Sequence, residues 1–151
     1  MTANNFSALL NTCMNAEAAG DIERIMQLPP DVLAQTGPQV SRRVFAMALN
    51  AILLRDLLER VPSAAAYVAD RRQAGHRIMF DHGALRTISL PTHLSAGCGL
   101  PAGESVITRV LLPLGYVRRE VYPLRKLRMT GRSYAHVDGL HDIRQHIDGR
   151  A

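Results

Sequence analysis

Tryptophan is absent, phenylalanine occurs three times and cysteine only twice. So few large aromatics argue against a nucleic-acid groove, which stacks bases on such rings. Cys13 and Cys98 lie far apart with no CxxC pair, which excludes a disulfide framework and a zinc knuckle and fits a reducing compartment. No apolar run approaches the roughly 20 residues needed to span a bilayer, and the N-terminus lacks a positive signal-peptide start. A cytoplasmic address follows as the expectation. Also missing are a GxSxG elbow, a GxxxxGK[ST] loop and a GxGxxG turn after a strand.

What is present describes a chain that folds. Hydrophobic residues make up 47% and charged residues 21% of 151 residues, enough for one ordinary core. The net charge of +5 attracts anions, with nucleic acid, phosphorylated compounds and dicarboxylic acids as candidates. The excess is concentrated in YVRREVYPLRKLRMTGRS, where Arg118, Arg119, Arg125, Lys126, Arg128 and Arg132 meet one acid, Glu120. A solvated basic surface is the simplest reading of that run.

Periodicity divides the chain near residue 76. Phe6, Leu9, Leu10, Cys13 and Met14 follow helical spacing, and a short helix is predicted from Asp21, as its cap, to Leu28. A longer helix is expected over 40–61, with Val44, Met47, Ala51, Leu54, Leu58 and Val61 inward and Leu49, Ile52, Leu53 and Leu57 widening the stripe. Pro62 ends it, Ser63 caps the next helix, and Gly75 suits a left-handed terminus. Beyond Gly75, HRIMFDHGALRTI reads as a strand and PTHLSAGCGLPAG as a loop. ESVITRVLLPLGY is a short helix with Val106, Val110 and Leu111 inward, and YVRREVYPL is a second strand. The expected class is therefore α+β: a helical region over 1–75, then a strand-helix-strand unit over 76–151.

Within the first strand, alternation sets His82, Ala84, Arg86 and Ile88 on one face. The α-carbons of residues 82 and 86 then lie about 13 Å apart. Imidazole is a neutral metal ligand near pH 7, and guanidinium presents a fork matching a carboxylate. A pocket with a metal on His82 and a substrate carboxylate on Arg86 is one solution; a hydrogen-bonded histidine and an ion-paired arginine is the other. His76, His93, His136, His141 and His146 form no HxH or HxxxH pair, and Cys98 has no assignable histidine partner.

The blocks FDHGALRTI, GLPAGESVITRVLLPLGY and YPLRKLRMTGRSYAHVD, in this order, resemble the N-terminal part of the 2-oxoadipate dioxygenase/decarboxylase family, also called hydroxyglutarate synthases. The resemblance covers about residues 62–145. It implies a fold related to vicinal-oxygen-chelate proteins, present here in part. It also implies non-haem Fe(II) chemistry that uses O2 to convert 2-oxoadipate to 2-hydroxyglutarate in lysine breakdown. His82 matches the first metal-binding histidine, and Arg86 the arginine that holds a substrate carboxylate. Two histidines and a carboxylate would leave three iron positions for a bidentate 2-oxo acid and O2.

Family members continue well beyond DIRQHIDGRA and supply there the second histidine and the carboxylate. A truncated, weak or inactive enzyme is thus the expectation, with His136 or His141 plus Asp138 or Asp142 as conceivable substitutes. The alternative is a non-catalytic module binding small carboxylates through Arg86 or nucleic acid through the basic run. An incomplete sheet leaves an edge and an apolar face uncovered, from which self-association is expected.

Overall fold

The computed structural model describes residues 4–79, 82–95, 97, 99, 103–138 and 144–150; the side chains of 82, 92, 95 and 144–150 lie outside that description. The chain is α+β and divides into two compact units, Met1–Phe80 and Asp81–Ala151.

In the first unit, α1 (Asn5–Cys13) begins at Asn4, whose side chain accepts from the Ser7 N–H, and α2 (Ala16–Ile25) begins at Asn15, which accepts from Ala18. The predicted cap Asp21 sits inside α2 and pairs with Arg24. An alanine-rich first turn forms good helix without an apolar stripe, which is why the earlier start escaped the periodicity. β1 (Met26–Gln27) leads to α3 (Pro30–Ala34) and then to α4 (Arg42–Arg60), capped by Ser41. Val44, Met47, Ala51 and Leu54 are buried with Phe6 and Leu10 of α1, whereas Leu53 and Leu57 are exposed, so the stripe is narrower than expected. Pro62 opens α5 (Pro62–Gln73) directly; Ser63 is not its cap. Proline at the first helical position lacks only an N–H that would have no partner there. Gly75, at φ +77°, closes α5: its N–H donates to Arg72 O and the His76 N–H to Arg71 O. This is a Schellman closure.

The expected single strand over HRIMFDHGALRTI is two. β2 (Ile78–Met79) pairs in parallel with β1, while β3 (His82–Ile88) joins a separate four-stranded sheet of the second unit. After β3 come α6 (Thr92–Ser95), inside the expected loop, α7 (Glu104–Leu111) and β4 (Tyr116–Leu124). A 3-10 turn (Arg125–Leu127) and two further strands follow, β5 (Met129–His136) and β6 (Arg144–Arg150), which extend the expected strand-helix-strand unit. Sheet order is β3-β6-β5-β4, with β3 and β6 parallel and the other pairs antiparallel. Of the α7 residues expected inward, Leu111 is buried, but Val106 and Val110 are 39% and 53% exposed. At the N-terminal end of α7, Glu104 pairs with Arg132 of β5.

Candidate functional site

In the four-stranded sheet, register assigns the paired residues to one of two faces. Arg132 and Tyr134 of β5 face α7, where the carboxylate of Glu104 accepts from the Tyr134 hydroxyl and pairs with Arg132 Nε at 2.9 Å and Arg118 Nη1 at 3.7 Å. Burial first, then the hydrogen bond to Glu104 and its charge, push the Tyr134 phenol up to about 12, against the opposing pull of Arg118 and Arg132. On the same face His136 is fully buried, edge-on to Tyr116. Its Nε2 lies 2.7 Å from Leu114 O, and its Nδ1 accepts from the Asp138 N–H at 3.2 Å. A carbonyl only accepts, so Nε2 carries the hydrogen and Nδ1 spends its lone pair on the backbone. Neither nitrogen is left for a metal. This removes His136 as a substitute ligand; His141 and Asp142 lie outside the described residues.

The other face carries Arg86. Along β3, Ala84, Arg86 and Ile88 are exposed, while Gly83, Leu85 and Thr87, on the α7 side, are half-buried. Across the sheet Arg86 is in register with Asp148 of β6, which aligns with Gly131 of β5 and then Tyr122 of β4. Tyr122 donates to Glu120, and the Ser133 hydroxyl accepts from the Glu120 N–H. His82 opens β3 opposite Arg144. Its side chain, like Cys98, lies outside the described residues. Among the described residues no three His, Cys, Asp or Glu side chains converge on a point.

The basic run divides in two. Arg118 and Arg132 share the single carboxylate of Glu104, whereas Arg119, Arg125, Lys126 and Arg128 are exposed and form no ion pair among the described residues. Sequence reasoning missed Glu104, because its partners stand far along the chain and only folding brings them together. No helix among the described residues is long and apolar enough to cross a membrane.

No family model and no curated protein matches the chain. A solved structure from Ralstonia eutropha JMP134, described as a glyoxalase superfamily protein, is 32% identical over 97% of the chain, with a TM-score of 0.83. The chain spans only 45% of that protein's length. A structure from Shewanella frigidimarina NCIMB 400, described as a hydrolase, is 24% identical over 70% of this chain and 37% of its own, with a TM-score of 0.52, and supports the fold alone. These neighbours overturn the resemblance to the 2-oxoadipate dioxygenase/decarboxylase family, and with it 2-oxoadipate, hydroxyglutarate synthesis and lysine degradation. The physical reason is that the three blocks behind it encode β3, α7 and the β4–β5 hairpin. Ordered scaffold pieces report a fold, and substrate is a property of the site built upon it. What the comparisons support is a mixed helix-and-strand chain similar to a glyoxalase superfamily protein.

Proposed function

We propose that the chain is a glyoxalase-superfamily-like module of vicinal-oxygen-chelate type that binds a small dicarboxylic or 2-oxo acid on the Arg86 face of its sheet. The observation that carries this reading is the alternation along β3, which leaves Arg86 exposed beside small Ala84. A guanidinium carries five N–H donors in a planar fork, more than one partner uses, and the net charge of +5 draws anions toward the chain. The scarcity of aromatics favours a small anion over nucleic acid. No chemical step is routed through a metal, and His82 is the residue of β3 to test as a ligand.

Calorimetric titration with succinate, glutarate and 2-oxoglutarate tests the reading. Arg86→Ala is expected to weaken binding by about tenfold or more, the usual size of a charge-assisted hydrogen bond, and Arg86→Lys to recover part of it. Equal affinities for Arg86→Ala and the unaltered chain would sink it.

A further inference from the structure

The loop that joins β4 to β5 carries charge of one sign together with apolar side chains. Leu124 pairs with Met129, and between them stand Arg125, Lys126, Leu127 and Arg128, all exposed, Leu127 at 60%. Turns ordinarily take small polar residues. Arg128 adopts φ 50° and ψ 45°, and its N–H donates to the Arg125 carbonyl at 3.1 Å. Glycine reaches that left-handed geometry freely, so an arginine kept there points to a use for its side chain. The three bases of the loop form no ion pair among the described residues. Glu120 is the only acid between residues 105 and 137; it stands about 13 Å along β4 from Leu124 and accepts from the Tyr122 hydroxyl. Apolar surface continues past the loop, since Leu124 and Met129 belong to the last rung of the sheet, which runs through Arg150 to Ile88, 65% exposed.

We propose that this end of the sheet docks on an anionic lipid surface, with Leu127 entering between the lipids and Arg125, Lys126 and Arg128 against the headgroup phosphates. Leucine set among bases suits such a surface, where apolar burial and charge attraction add. Nucleic acid would use the charges and leave the leucines idle, and the loop holds no aromatic ring to stack on a base. Docking of this kind needs no spanning helix and is independent of the carboxylate reading of Arg86. It depends on place rather than on net charge. Arg119, the extra residue at the register shift of β4 between Arg118 and Glu120, is exposed too but lies about 16 Å from Leu124, beyond a Debye length at physiological salt.

Co-sedimentation with vesicles of phosphatidylcholine alone, and of phosphatidylcholine with phosphatidylserine, tests this. The unaltered chain is expected to bind the phosphatidylserine vesicles and to release them as salt rises. Arg125→Gln with Lys126→Gln weakens binding about 25-fold, near fivefold for each charge, and Leu127→Ser weakens it about tenfold. Arg128→Gly weakens it about fivefold while urea unfolding shows stability held or raised, which separates a lipid contact from a structural role. Arg119→Gln leaves binding within about twofold. All these positions are exposed, and circular dichroism checks the fold of each variant. No binding to phosphatidylserine vesicles, equal binding to both kinds, or an Arg119→Gln loss equal to that of Arg128→Gly overturns the proposal. Leu127→Ser binding vesicles as tightly as the unaltered chain also overturns it, and retention of that variant on DNA would make the loop a nucleic-acid contact instead.

Discussion

The two faces of the four-stranded sheet come from the same strands and are held in contrasting ways. Toward α7, charged and polar groups are satisfied by partners within the unit: Glu104 gathers Tyr134, Arg132 and Arg118, and His136 spends both ring nitrogens on the backbone. On the Arg86 face the edge strands expose Ala84, Arg86, Ile88, Glu120, Tyr122 and Leu124, while small residues of β5, Gly131, Ser133 and Ala135, lie buried between them. Polar groups spent on stability cannot also serve a ligand, which is why the richer cluster is the weaker functional candidate.

Substitutions should separate the faces by size of effect. His136→Leu, which leaves Leu114 O and the Asp138 N–H without partners and loses the edge-on contact with Tyr116, is expected to cost about 3 kcal/mol in urea unfolding. A loss under about 1 kcal/mol would remove His136 as the anchor of that face. A smaller effect concerns alkaline pH. The folded-state pKa of Tyr134, about 12, lies above the ordinary 10, so the folded chain holds this proton more tightly than the unfolded one. Its contribution is fully present below pH 10 and is lost as pH rises through 12. Tyr134→Phe should flatten that slope between 10 and 12, and an unchanged slope would place the titration elsewhere. Least of all, Ile88→Thr on the Arg86 face should change stability by under about 0.5 kcal/mol.

Much of the first unit was legible because its core is made by local helical spacing: Phe6 with Leu10, Val44 with Met47, Ala51 and Leu54. Gly75 was readable too, since a left-handed helix end has a residue preference of its own. The second unit was harder. Val106 and Val110 have the spacing of a buried stripe yet stay exposed, while Leu111 of the same helix is buried. Long-range pairing decided β5 and β6, and nothing in RQHIDGR alone announces a partner across the sheet. The position of Arg86 on β3 followed from alternation alone, whereas the ligand set suggested for iron came from a resemblance that the structural neighbours do not sustain.

The register shift at Arg119 has an evolutionary corollary. Two residues of β4, Arg119 and one neighbour, stand against a single residue of β5, so the hairpin holds one more residue than its pairing requires. Deleting Arg119 would preserve every cross-strand partnership on either side and relax only the local twist. Among homologous chains, a one-residue gap should therefore be accepted more readily at this point than anywhere else between Tyr116 and His136.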